Sequence, residues 1–197
     1  MAAGDLARGK STAAGLGAWI VFEDESAATL NPPLRTTWAR RGHTPILTAP
    51  ASHKKTSMAG WCCYRTGRTP RLRYNLCPDG HFTAADFPAL LRRLHRHLDA
   101  PVVLVWDNLT GHARDKGVLA FLDDNADWLT VYRLPGYAPE LNPVEGLWGL
   151  LKDGPLGNLV ARALDEVTTA ARRALRRTQY RPDLLLAFLA GAGLALD

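Results

Sequence analysis

The chain has 197 residues, 47% of them hydrophobic and 22% charged, which fits one domain with a sizeable core and excludes wholesale disorder. No apolar run nears the ~18 residues of a membrane span, the first residues lack a secretory apolar stretch, and Cys62, Cys63 and Cys77 have no metal-ligand spacing, so no membrane association, structural zinc or disulfide framework is expected and the cytoplasm is the natural compartment. Lys and Arg total 24 against 19 Asp and Glu, a net charge of +5; the cations are mostly arginine, which points toward phosphate-bearing partners unless it reflects codon bias.

Residues 1–16 are small, polar and rich in Gly and Ala, and read as a flexible leader before one domain over 17–197. Residues 18–22 form a short β-prone run that ends at Glu23-Asp24-Glu25-Ser26, a buried strand with acid at its C-terminal end. Residues 36–38 and 45–48 flank Arg40-Arg41-Gly42-His43 and predict two short strands joined by a turn. Two more strands are expected over 56–65 and 71–77. Thr83, with Asp86 three residues on, predicts the start of a helix running to about Leu98. Residues 102–106 are the strongest buried-strand signal, again followed by acid at Asp107-Asn108. A helix over 113–125, a strand over 129–134, a helix opening at Asn142, and helices near 160–178 and 182–190 complete the pattern. A β-meander, then β/α alternation, then helices predict a mixed α/β sheet with helices packed on it.

Strands that end in acid matter because parallel strand ends gather at one sheet edge, where α/β proteins place their sites. If residues 18–22 and 102–106 are neighbours, Asp24 and Asp107 face each other, and two close carboxylates repel unless a cation lies between them. Hard oxygen ligands favour Mg²⁺ or Mn²⁺. The same acids also read as solvated strand termini, and periodicity does not separate Glu23, Asp24 and Glu25. Glu145 has two readings as well. With Asn142 as N-cap and Pro143 at the first helical position, it falls where a capping-box glutamate sits, and it also projects from a first helical turn toward a sheet edge.

Residues 22–26 (FEDES), 37–45 (TWARRGHTP), 105–112 (VWDNLTGH) and 134–152 (LPGYAPELNPVEGLWGLLK) together resemble the bacterial insertion-sequence 630 family, DDE transposases of the mariner superfamily. The resemblance covers about residues 17–190. It implies a ribonuclease-H-like fold: a five-stranded mixed sheet, its first three strands antiparallel, flanked by helices. It also implies a triad of Asp24, Asp107 and Glu145, the last 38 positions after Asp107, and so favours Asp24 over its acidic neighbours and the metal role for Glu145. The implied chemistry is DNA strand cleavage and strand transfer with two Mg²⁺ ions, or Mn²⁺ as substitute. Transposon ends and a TA target are the implied DNA partners, with a dimer assembled on DNA in the nucleoid. Asn108, His112, Asn142 and Lys152 are candidates for supporting or phosphate contacts. Arg40, Arg41 and His43 in the early hairpin, and Arg172, Arg173, Arg176, Arg177 and Arg181 further on, are candidates for the DNA backbone. Trp148 reads as core. Relatives carry a helix-turn-helix region before the catalytic domain, so a second-frame or truncated product is expected, with a separate helix-turn-helix protein as a possible partner. The competing readings are a catalytically silent regulator that binds DNA or transposase, and another ribonuclease-H-like nuclease, for example one acting on RNA–DNA hybrids.

Overall fold

Short apolar runs become buried strands where a sheet and its helices cover both of their faces. In the computed structural model, which describes residues 9, 12–13, 15–50, 52–106, 115–135 and 138–195, five such strands form one sheet. They are β1 (Trp19–Thr29), β2 (Lys55–Tyr64), β3 (Arg71–Pro78), β4 (Val102–Trp106) and β5 (Leu129–Arg133), in the order β3-β2-β1-β4-β5. The first three are antiparallel; β4 and β5 run parallel to β1. The helices are α1 (Phe87–Leu98), α2 (Lys116–Asp124), α3 (Pro143–Asp153), α4 (Leu164–Gln179) and α5 (Pro182–Gly191). This is the α/β, ribonuclease-H-like arrangement expected from the sequence.

Side-chain alternation splits the core into two layers. Val21, Trp61, Cys63 and Leu104 pack against Phe87, Leu91 and Leu94 of α1 and Val118 and Phe121 of α2. Phe22, Cys62, Tyr64 and Val105 point the other way, against Val144, Leu147 and Trp148 of α3, Ala171 and Leu175 of α4, and Leu185 and Leu189 of α5. Burial pushes the Cys62 thiol up to about 12 and raises Cys63 as well, so neither is a thiolate nucleophile near neutrality.

Three local expectations change. β1 does not stop at the acids but continues to Thr29, because β2 pairs with it from Tyr64 back to Lys55. The parallel partner is the shorter one: β4 pairs with β1 as far as Phe22↔Val105. Asp24 therefore lies inside the antiparallel ladder, just beyond the described part of the parallel one. Residues 36–38 and 45–48 form no strands and pair with none of the five in the sheet; only the turn survives, with the His43 amide donating to the Arg40 carbonyl (2.9 Å). Trp38 there is fully exposed. The base of this excursion is fixed where Asn158 donates to the Arg35 carbonyl and accepts from its amide, both at 2.8 Å. In the segment expected to be a flexible leader, residues 9, 12, 13, 15 and 16 are helical. Ala13 is buried against Val103, and the Thr12 hydroxyl bonds that of Tyr132 (3.0 Å). The apolar Val103 needed cover that the major helices do not supply.

The α1 start follows its signal with one variation. The Thr83 amide (2.7 Å) and hydroxyl (2.8 Å) both donate to the Asp86 carboxylate, and a 3-10 turn, Ala84–Asp86, precedes the α-helix. These bonds, the amide first, hold the Asp86 carboxyl below the ordinary carboxylate range. A depressed folded-state pKa stabilises above the unfolded value and stops doing so as pH falls through the folded one. Asp86→Asn should thus cost a few tenths of a kcal/mol at neutral pH, given solvent screening. The difference from wild type should vanish in acid, as read by urea melts at both pH values.

Gly146 marks the tightest helix contact: a Cβ there would lie 2.7 Å from the Phe188 ring and 3.2 Å from its Cβ. Alanine would gain up to about 1 kcal/mol of helix propensity but overpack the α3–α5 seam by about 1–3 kcal/mol. Packing wins. Gly146→Ala should lower the urea midpoint at unchanged m-value, a loss of about 1 kcal/mol.

Candidate active site

The site begins with the pleat of β1. Phe22 faces the α3 layer, so Asp24, two residues on, shares that face, while Glu23 alternates to the other side and is 1% exposed. The ambiguity among the three acids is thereby reduced by the fold. Asp24 is half-buried, and its Oδ2 accepts a hydrogen bond from the Trp148 indole Nε1 (2.9 Å).

That bond depends on a missing side chain. Gly60 stands opposite Asp24 in β2, and a Cβ on it would meet the Trp148 ring at 3.0 Å and Val144 at 3.1 Å. With glycine there, the indole lies flat enough over β2 to reach the neighbouring strand. An isolated glycine within a strand pattern is the sequence sign of such an approach.

Asn142 secures the other end. Its Oδ1 accepts from the Val144 amide (3.1 Å), the N-cap bond, and its Nδ2 donates to the Glu23 carbonyl (3.2 Å). The α3 N-terminus is thus tied to β1 at two successive residues, Glu23 and Asp24. Glu145 lies between the two ties in sequence. It is three residues before Trp148 and so on the same side of the helix.

The capping alternative for Glu145 is not realised. The Asn142 amide, which a capping-box glutamate would serve, donates instead to the Pro139 carbonyl (2.9 Å) in the preceding 3-10 turn. Glu145 is exposed and makes no side-chain hydrogen bond among the described residues. Its carboxylate at the first turn is favoured by the helix dipole, and it stays available to a ligand.

Asp107, Asn108 and His112 lie outside the described residues. Asp107 directly follows Trp106, the last residue of β4. Among the described residues no three His, Cys, Asp or Glu side chains group closely enough to hold a metal ion. Lys152 is half-buried in the last turn of α3, seven residues from Glu145 and near its helix face. Arg172, Arg173, Arg176 and Arg177 lie on the exposed side of α4, whose opposite side buries Val167, Ala171 and Leu175. Arg181 is engaged with Asp183 (2.7 Å). Arg40 and Arg41 are exposed at the turn of the 31–54 excursion. The site residues that sequence reasoning missed are Trp148, read as core alone, and Gly60. Trp148 is core, at 1% exposed, but it is also the donor that orients Asp24.

Residues 19–168 match the family model described as DDE superfamily endonuclease. The Shigella sonnei protein described as "Insertion element IS630 uncharacterized 39 kDa protein" is 30% identical over 138 residues, covering 68% of this chain and 38% of that one. The fold is similar to that of the Mos1 transposase in its paired-end complex with the left transposon end. The TM-score is 0.60 at 19% identity, over 98% of this chain and 62% of the other. It is also similar to the Mos1 mariner paired-end complex with Mn, with a TM-score of 0.57 at 20% identity over 90% and 56% of the two chains. The chain thus spans less than two thirds of the length of these relatives. No helix among the described residues is long and apolar enough to cross a membrane. With the family match across most of the sheet and α3, and the insertion-element relative over two thirds of the chain, this protein belongs to the DDE transposase family of the insertion-sequence 630 and mariner group.

Proposed function

We propose that this domain cleaves and joins DNA strands by divalent-metal-assisted phosphoryl transfer, with Asp24, Asp107 and Glu145 as the metal-holding carboxylates. The observation that carries the reading is the double tie of α3 to β1, through Asn142 to the Glu23 carbonyl and Trp148 to the Asp24 carboxylate. It supports a common location for Asp24 and Glu145, beside the strand after which Asp107 follows in sequence.

The donor set fits hard cations: carboxylate oxygens alone, offered from a strand and a helix rather than from mobile side chains of one loop. Two Mg²⁺ or Mn²⁺ ions, when bound, would supply Lewis-acid stabilisation of the attacking and leaving oxygens of an in-line displacement. A Mos1 complex with Mn is among the similar folds, in keeping with that choice. The protein's own part is positional. Trp148 fixes the Asp24 carboxylate, Asn142 fixes the helix start that carries Glu145, and the buried sheet keeps both from moving apart. Asn108 and His112, one and five residues after Asp107, are proposed to steady that carboxylate or a phosphate. Water attacks first to nick a transposon end, and the freed 3′-hydroxyl then attacks a TA target. Arg40, Arg41, Arg172, Arg173, Arg176 and Lys152 would contact the DNA backbone, and two copies would assemble on paired ends.

The test is nicking of supercoiled DNA in Mg²⁺ or Mn²⁺ by wild type and Asp107→Asn. Metal-dependent nicking lost in the variant is the expected result. Nicking that survives the substitution would overturn the site assignment, and DNA binding without cleavage would favour a silent regulator.

A further inference from the structure

A second cationic site lies at the other edge of the sheet. β3 is an edge strand, and its alternation sends Leu72 into the α4–α5 layer and Arg73 toward α1. There Arg73 meets Arg93 and His97 of α1 around a cleft of about 250 Å³, with Trp61 as its apolar floor and Asn75 and Gln179 on its rim. No carboxylate is among the described residues that line it. The Nε of Arg73 is shut off from solvent and makes no hydrogen bond. A guanidinium left without an acceptor at a shielded nitrogen is stabilised by an anion beside its remaining edge.

No acceptor among the described residues reaches that nitrogen. Glu23, Trp61 and Arg73 stand in one cross-strand row, with Trp61 between the two charged residues, whose backbones lie two strand spacings apart, about 9–10 Å. The surrounding donors are fixed. His97 Nδ1 bonds the Arg93 carbonyl (2.7 Å). A carbonyl only accepts, so that nitrogen carries the proton. Gln179 Nε2 donates to the Leu72 carbonyl (2.8 Å), which closes the far end of the cleft against α4.

We infer that this cleft binds a phosphate group, held by the Arg73 and Arg93 guanidinium groups. Guanidinium forks match tetrahedral oxyanions, and the volume is below the ~300–1,000 Å³ of drug-sized pockets, so it admits one phosphate and its ester substituent. The source is either a phosphodiester of DNA passing the sheet edge or a free phosphate. Arg73 and α1 occupy the sheet face opposite α3, so this site is independent of the carboxylates and neither reading depends on the other.

The experiment follows the Arg73 Nε–H resonance by ¹H–¹⁵N NMR, assigned by its loss in Arg73→Lys. Titration with orthophosphate, at ionic strength matched with chloride, should shift it saturably. Arg93→Gln, a substitution on the exposed side of α1, should weaken binding by about tenfold. A short DNA duplex that moves the same resonance and is displaced by orthophosphate identifies the backbone as the source. A shift with orthophosphate that DNA neither reproduces nor competes with identifies a free phosphate. No shift with either, a shift equalled by chloride, or an unchanged titration in Arg93→Gln overturns the inference.

Discussion

Asp24→Asn and Glu145→Gln should each lower metal-dependent DNA nicking by at least about 10²-fold, the scale on which losing one electrostatic catalytic group is felt, while the protein stays folded. Both changes keep shape and remove charge. In Asp24→Asn the carboxamide oxygen still accepts from the Trp148 indole, so the bond that holds α3 to β1 at this point survives. Glu145 offers an even cleaner separation. It is exposed, and the N-cap bond belongs to Asn142. Neutralising it forfeits only its interaction with the helix dipole, about 0.3–1 kcal/mol. A loss of that size leaves the folded population essentially complete in a domain of ordinary stability. A fall in nicking at an unchanged circular-dichroism spectrum and near-unchanged melting temperature would therefore report chemistry. Nicking within a few-fold of wild type in either variant would remove that carboxylate from the proposed triad.

Much of this architecture is legible in the sequence because the signals are local. The run at 102–106 is apolar throughout and becomes β4, Val102–Trp106, with the expected bounds. Asn142 followed by Pro143 caps α3 as the residue types require. The Thr83–Asp86 pair likewise marks the approach to α1. What is not legible is decided by partners far away in the chain. β1 extends to Thr29 because ten residues of β2 pair with it, which no window around the acids reveals. The two short strands expected near the Arg40-Arg41 turn fail for the converse reason: their local pattern pairs with no strand of the sheet. That Asp24, which the resemblance favours, shares the α3 face while Glu23 turns away follows only once the pleat is anchored by Phe22 against α3. Asp107, Asn108 and His112 lie outside the described residues, so the place of Asp107 in the proposed triad and the supporting roles of the other two rest on the resemblance alone. The indole bond to Asp24 joins residues 124 positions apart, and only packing discloses it.

Trp148 thus joins two roles, and two substitutions should separate them. Trp148→Ala deletes a side chain that is 1% exposed and packed among Phe22, Val144 and Leu147. Cavity formation should cost about 3–5 kcal/mol, enough to lower the melting temperature by about 6–20 degrees in a chain of this size and to release the start of α3. Trp148→Phe retains much of the apolar ring but has no N–H. It should be milder in urea, about 1–2 kcal/mol including the lost charge-assisted bond, yet still reduce nicking by about tenfold, because Asp24 loses the donor that sets its rotamer. Gly60→Ala attacks the same bond from the other side. Its Cβ would lie 3.0 Å from two atoms of the Trp148 ring and 3.1 Å from Val144, so the indole must lift away from β2 and its N–H from Asp24. If positioning is what matters, Gly60→Ala and Trp148→Phe should depress nicking by similar factors, and combining them should add little beyond the larger single effect. Additive losses, or full activity in Trp148→Phe, would reduce the indole to packing.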